Sequence, residues 1–207
     1  MSHDPRVDPR VATSSEVQVA SKLRNDVVAL RAYWNQLFMD QYLNVLEAPA
    51  EIGRHGVIAE LIQRICRDGN VLDAGCGTGI LSQLLDLKKF AYLGCDISDV
   101  AIEHANTHRA KPNARFRVGR IEDLQDISGL SALVFNEVLY YVDADSVIKS
   151  AKSWLRSEGI VVASVFDFPE GNEIRKWLRV KLVDFKEIAI QNTDNSLKWY
   201  VTMGRLA

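Results

Sequence analysis

Residues 71–79 read VLDAGCGTG, with glycines at 75, 77 and 79 and an acid, Asp73, two residues before the first of them. A glycine turn after a short apolar strand lets the backbone approach a ligand closely. Turns that hold a dinucleotide space their glycines G-x-G-x-x-G. Here the spacing is G-x-G-x-G, and Ile80 stands where the third glycine would be. A carboxylate at Asp73, pointing at the ligand mouth, repels a pyrophosphate and favours a ligand that carries positive charge. A second acid, Asp96, ends the next apolar run, 21 residues after Gly75. At that place in a βαβ unit a carboxylate accepts hydrogen bonds from ribose hydroxyls. The plainer role for Asp96 is to cap the following helix, but Ser98 or Asp99 can do that equally well.

A third constellation is FNEVLYYVDADS, residues 135–146, where Asn136, Glu137, Tyr140 and Tyr141 follow an apolar strand. A carboxylate or tyrosine at such a place can take a proton from a bound nucleophile. Glu137, Tyr140 and Tyr141 are the candidates for that work. Glu137 serves equally well as a hydrogen-bond partner of a cofactor. Consecutive tyrosines in a turn point opposite ways, so one of the pair is expected to face an acceptor. Arg54 could clamp a carboxylate bidentately. His55 is a further candidate base, with a structural histidine as its bland alternative.

These groups need a scaffold. Strand-like and helix-like runs alternate from residue 70 to 168: strands at NVLDAG, 90–97, 114–119, 131–138 and 159–168, helices at 78–88, 99–110 and 144–156. Such alternation implies a parallel sheet covered on both faces. Two further strand-like runs, 183–191 and 197–203, flank Asn192–Ser196, so a closing hairpin with an antiparallel last strand is expected. Before the sheet, Leu23, Val27, Leu30, Trp34 and Leu37 recur at helical steps and predict one amphipathic helix from about Ser15 to Leu46, ended by Pro49, with a second helix over 54–66. Residues 1–14, with the tandem DPRVDPRV, are read as disordered, 15–67 as helices forming a lid and acceptor wall, and 68–207 as the core. Trp34 is read as packing on the sheet.

The chain has 207 residues and a formal net charge of -2, which suits one α/β domain and disfavours a dedicated nucleic-acid binder. No apolar run reaches membrane-spanning length. Three cysteines without a C-x-x-C pair fit a reducing cytoplasm. His104 and His108 have a spacing that can bind metal, but no acids are well placed beside them, and no metal is expected. The basic residues at 175, 176, 179 and 181 read as a solvated helix face.

VLDAGCGTG followed by YLGCDIS, with AIEHA in the next helix, closely resembles the class I S-adenosylmethionine-dependent methyltransferases. S-adenosylmethionine carries a sulfonium and an ammonium and no phosphate, as Asp73 demands. The resemblance implies a single Rossmann-like domain with a mostly parallel seven-stranded sheet and an antiparallel last strand. It implies that Asp73 lies near the methionine amino group, Gly75, Cys76 and Gly77 beneath it, Asp96 at the ribose, and Ile97 against adenine. Ile121 and Glu122 fall where adenine is normally contacted, although Arg120 departs from the usual aspartate. Asn136 lies at the mouth facing the methionine portion. The string N-E-V-L-Y-Y is similar to that of small N-methyltransferases, including the nodulation type that methylates an amino sugar. The resemblance therefore implies a small-molecule acceptor, with an amine nitrogen ahead of an oxygen. An O-methyltransferase of a natural product, a non-catalytic cofactor-binding domain and a nucleotide-dependent oxidoreductase are the alternatives. Oligomeric state, a homodimer included, is open.

Overall fold

The computed structural model describes residues 13–42, 46, 48–192 and 197–207. Most of the predicted disordered N-terminus and the tip of the predicted hairpin turn lie outside them. The chain opens with α1 (Ser14–Leu23) and α2 (Val27–Leu37), and one π-helical turn follows at Phe38–Tyr42. The long helix predicted here is two helices. The Asp26 side chain accepts a hydrogen bond from Ala29 N at 3.0 Å and restarts the chain as the N-cap of α2. Pro49, expected to end a helix, instead begins α3 (Pro49–Cys66). Proline suits the first helical turn because its missing N–H would have had no partner there.

The sheet is built from β1 (Gly69–Ala74), β2 (Phe90–Asp96), β3 (Ala114–Val118), β4 (Leu130–Asn136), β5 (Leu155–Phe166), β6 (Leu182–Gln191) and β7 (Lys198–Leu206). Its order is β3-β2-β1-β4-β5-β7-β6. The first five strands are parallel, and β7 runs antiparallel to both β5 and β6. This is the expected sheet. Between strands lie α4 (Leu81–Leu84), α5 (Asp99–Arg109), α6 (Ala144–Trp154) and α7 (Pro169–Lys181). The helix predicted over 78–88 is thus a single turn.

Alternate residues of the central strands feed two cores, one on each face. Leu72, Leu133, Phe135 and Val161 pack with Val147, Ile148, Trp154 and Leu178 of α6 and α7. Val71, Ala132, Val134 and Val162 pack with Ile58 and Ile62 of α3 and with Leu81. Strands buried on both faces must be apolar throughout, which is why β4 and β5 read as continuous hydrophobic runs. The exceptions are Ser131 in β4 and Ser164 in β5, both fully buried among them.

The predicted basic face is partly structural. Arg175 and Arg179 both pair with Glu187 of β6, and the Arg175 guanidinium lies 3.1 Å from the Tyr200 ring centroid. No helix among the described residues is long and apolar enough to cross a membrane.

Candidate active site

A cavity opens at the carboxyl ends of β1, β2 and β4, beneath α2 and beside α3. Gly75, Cys76, Gly77, Asp96, Ile97, Ile121, Glu122, Asn136, Glu137, Tyr141, Arg54 and His55 all line it. Of the predicted site residues, only Asp73 and Tyr140 stand behind its wall.

Gly75 has φ +77, and a Cβ there would meet Val138 Cγ2 at 2.5 Å, so the turn needs glycine at this place. The N–H groups of Gly75 and Cys76 donate to Cys95 O at 2.7 and 3.0 Å, and Gly77 N donates to Asp96 Oδ2 at 2.9 Å. These donors tie the turn to β2 and do not point at a ligand. Asp96 Oδ1 also accepts from Ser98 N at 2.9 Å, while the Ser98 hydroxyl caps α5 by accepting from Ala101 N. Asp96 is therefore not the cap of α5. Burial pushes its pKa up, against the pull of the Ser98, Gly77 and Ile97 N–H groups.

Asp73 corrects the sequence reading. Its side chain does not reach the mouth. It is turned toward β2, where the Tyr92 hydroxyl donates to Oδ2 at 2.7 Å, and its buried Oδ1 has no hydrogen-bond partner. Burial raises its pKa to about 7, opposed by the Tyr92 hydroxyl and assisted by the charge of Asp96. Cys76 lines the turn with its thiol pKa well above the ordinary value, through burial and then the charges of Asp73 and Asp96. It is no nucleophile, because the thiolate is the reactive form.

The other side of the cavity carries a buried ionic cluster. Arg54, 2% exposed, pairs with Glu51 Oε2 at 2.5 Å and with Glu137 Oε1 at 3.5 Å, and its guanidinium lies 5.5 Å from the Trp199 ring centroid. Arg54 Nε is buried without a partner. Glu137 follows β4 in the left-handed region, at φ +60, a conformation uncommon outside glycine that gathers at functional sites. Its Oε2 accepts from the Tyr140 hydroxyl, and Ser164 Oγ lies 2.7 Å from Oε1. Of the two tyrosines, then, Tyr141 faces the cavity and Tyr140 supports Glu137 from below.

His55 is a second correction. Nδ1 lies 2.9 Å from Glu51 O and Nε2 lies 2.8 Å from Asn136 Nδ2, so both ring nitrogens are engaged. Burial, then the Arg54 charge, lowers its pKa to about 3. A ring this reluctant to take a proton is not a general base. Asn136 lines the cavity, but its Nδ2 meets His55 and its Oδ1 meets Ser164 Oγ at 2.7 Å.

Trp34 was expected to pack on the sheet. It lines the cavity with Leu30 and Phe38 and meets Tyr141 edge to face, ring centroids 4.7 Å apart. Glu51, Arg24, Arg120 and Ser164 were not predicted as site residues. Arg24 and Arg120 line the cavity, and Arg120 Nε lies 3.4 Å from Glu122 Oε2. For Ser164 the signal was present, a lone hydroxyl within VVASVF. For Glu51 there was none, because it lies between the two predicted helices as an ordinary acid. His104 and His108 stack on α5 with ring centroids 4.2 Å apart, away from the cavity.

Two of these buried groups oppose each other in folding. His55 is held neutral in the fold, so stability falls as pH drops from about 6.5 to about 3, where only the unfolded chain takes that proton. Asp73 has a raised folded pKa, so its contribution is full below about 3.8 and is lost as pH rises toward about 7. Each slope is about 1.4 kcal/mol per pH unit where it acts fully. Between about pH 4 and 6.5 the two slopes oppose each other. In urea denaturation His55→Gln is expected to lose stability relative to the wild type as pH rises through this window, and a difference that stays constant with pH would contradict the assignment.

Residues 65–201, more than half of the chain, match a methyltransferase domain model. The chain belongs to this methyltransferase family. Its sheet has the order and the antiparallel last strand of the class I methyltransferase fold. Over 129 residues it is 28% identical to the ubiquinone biosynthesis O-methyltransferase of Pelagibacter ubique, covering 56% of this chain and 54% of that one. It is 31% identical over 111 residues to the ribosomal protein L11 methyltransferase of Thermosipho melanesiensis, covering 51% of this chain and 42% of that one. The chain thus spans about half the length of the curated relatives it matches. Among solved structures, the 1,6-didemethyltoxoflavin-N1-methyltransferase of Burkholderia thailandensis superposes with a TM-score of 0.65 at 17% identity, over 100% of this chain and 98% of that one. The N-methyltransferase NodS of Bradyrhizobium japonicum superposes with a TM-score of 0.60 at 15% identity, over 92% and 98%. Both were crystallised with S-adenosylhomocysteine. At these identities they speak for the fold.

The cavity fits the family's cofactor on its own features. Gly77 has φ +52 and a Cβ there would approach Leu46 and Phe38, so a side chain would fill the cradle under the helical cover. The buried, unpartnered Arg54 Nε is a donor waiting for an anion.

Proposed function

We propose that this protein transfers a methyl group from S-adenosylmethionine to a neutral amine nitrogen of a small molecule. The observation that carries the nitrogen reading is Glu137. It is a carboxylate at the cavity wall, held in a strained left-handed backbone by Ser164, Tyr140 and Arg54. A group so fixed can take a proton from a bound ammonium and leave the nitrogen lone pair free.

When bound, S-adenosylmethionine supplies a methyl group on a sulfonium that a nucleophile displaces in line. The residues of this chain bind and orient. Asp96 directs its carboxylate toward the ribose hydroxyls, Ile97 and Ile121 flank adenine, and Glu122 meets its edge. The turn Gly75–Gly77 lets the backbone approach the methionine portion. α4 is too short to receive the methionine carboxylate at its N-terminus, and Arg54 takes that role with its free Nε. Asp73 acts on the ammonium from behind the turn, through its field alone. Trp34, Phe38 and Tyr141 wall the acceptor and exclude water, as α1–α3 close over the site. The near-neutral charge and the three free cysteines support a small-molecule acceptor and a reducing cytoplasm.

Calorimetry with S-adenosylmethionine, S-adenosylhomocysteine and a nicotinamide dinucleotide control tests the cofactor site. Labelled-cofactor turnover against panels of amines and phenols tests the acceptor. Transfer to phenols alone would overturn the nitrogen reading. Asp96→Ala is expected to weaken S-adenosylhomocysteine binding by about 1–3 kcal/mol through lost hydrogen bonds. Unchanged affinity would remove Asp96 from the ribose.

A further inference from the structure

A line of hydrogen-bonding groups runs behind the cavity wall from α3 to Glu137. It passes from Glu51 O to His55 Nδ1 at 2.9 Å, from His55 Nε2 to Asn136 Nδ2 at 2.8 Å, from Asn136 Oδ1 to Ser164 Oγ at 2.7 Å, and from Ser164 Oγ to Glu137 Oε1 at 2.7 Å. Its direction can be worked out from one end. A backbone carbonyl only accepts, so the proton of the neutral His55 ring sits on Nδ1. His55 Nε2 is then a lone pair and takes a proton from the Asn136 amide. The amide oxygen is thereby turned to Ser164, whose single hydroxyl proton has two acceptors within 2.7 Å, Asn136 Oδ1 and Glu137 Oε1. One of these two contacts is left without a proton. The side chains offer three protons, one each from His55, Asn136 and Ser164, to four contacts.

We propose that His55, Asn136 and Ser164 are positioning residues that make Glu137 a proton sink, because their chain is one proton short and the proton released by the acceptor completes it. The proposal rests on Glu137 meeting the acceptor, as above. A bound ammonium loses one N–H proton to the Glu137 carboxylate, and the bonding pair stays on nitrogen as the lone pair that attacks. The new carboxyl O–H donates to Ser164 Oγ, and all four contacts are then filled. The groups that face Glu137 are Arg54 from α3, Tyr140 from its own turn and Ser164 from β5. Those that face His55 are Glu51 and Arg54 on its own helix, Asn136 from β4 and the charge of Arg109 from α5. The Arg54 and Arg109 charges both oppose an imidazolium, so the ring stays neutral and the direction of the chain holds.

His55→Leu removes the acceptor that holds the Asn136 amide. The amide is then free to reverse, Nδ2 donates to Ser164, and the hydroxyl proton goes to Glu137. Glu137 is satisfied without the acceptor's proton and holds a proton less tightly. Ser164→Ala breaks the same chain one step later and keeps the strand intact. His55→Gln can still present an oxygen to Asn136 and preserve the direction. The test is an infrared pH titration of the Glu137 carboxyl in the S-adenosylhomocysteine complex, with the band assigned by Glu137→Gln. It needs no turnover.

The expected result is a proton affinity about tenfold lower in His55→Leu and Ser164→Ala and near wild type in His55→Gln, with thermal midpoints and S-adenosylhomocysteine binding retained. In turnover, the acid limb of kcat moves to lower pH in the first two variants by the same factor. An unmoved or rising titration midpoint in folded Ser164→Ala overturns the proposal. A shifted midpoint in a protein that methylates no amine would sink the nitrogen reading and leave the proton chain standing.

Discussion

Arg54→Leu is expected to lower folding stability by about 3–5 kcal/mol, because it leaves buried acids without their cation. Arg54 is 2% exposed and lies between Glu51 and Glu137, at 2.5 and 3.5 Å. Glu51 is itself fully buried at the start of α3. Such a cluster adds little net stability over an apolar replacement of the whole group, but removal of one member is costly. Urea denaturation of the two proteins measures it. Arg54→Lys separates the two roles assigned to this side chain. An ammonium keeps the charge and loses the planar fork, so stability is largely restored while S-adenosylhomocysteine binding is not. Full binding by Arg54→Lys would take Arg54 away from the cofactor carboxylate.

Glu137→Gln is expected to reduce kcat by about 10²- to 10⁴-fold, the usual contribution of a general base. The amide is nearly isosteric with the carboxylate, so contacts to Tyr140 and Ser164 can persist, and S-adenosylhomocysteine binding should stay within a few fold. Single-turnover kinetics with the preferred amine would show the loss in the chemical step. A kcat within threefold of the wild type would make Glu137 a purely structural strut of the turn after β4, as an order-of-magnitude criterion against that loss.

The parallel sheet and its antiparallel closure were legible because apolar runs, turn residues and helical periods agree with one another from residue 69 onward. Asp96 was legible as well, since its place at the end of β2 is set by the length of a βαβ unit. Asp73 was misjudged for a physical reason. Position in a strand determines which face a side chain occupies, but Tyr92 on the neighbouring strand supplied a hydroxyl that turned the carboxylate inward. His55 was misjudged because both its partners, Glu51 O and the Asn136 amide, come into reach only when α3 packs against the end of β4. The N-terminal helices carried the weakest signal. Leu23, Val27 and Leu30 hold a continuous helical period across Asp26, and periodicity does not register a cap within it. Ser164 was visible as a hydroxyl in an apolar strand, and its meaning depended on Glu137 approaching it across the sheet.

The helical cover is fastened differently from the rest of the molecule. α1 and α2 meet the sheet domain through polar contacts, Ser14 to Glu170, Tyr141 to Glu16, Arg31 to Ile97 O, and Asn35 to Ser98 and Asp99, and through the Trp34–Tyr141 ring pair. Neither helix contributes to the two large apolar cores. Each such polar contact is worth about 0.5–1.5 kcal/mol net, since water replaces it when it breaks. The cover can therefore part from the sheet without disturbing either core. A local opening of α1 and α2 would expose the cavity, and substitutions at Ser14, Arg31 or Asn35 would change how often it occurs without touching a residue at the reacting atoms.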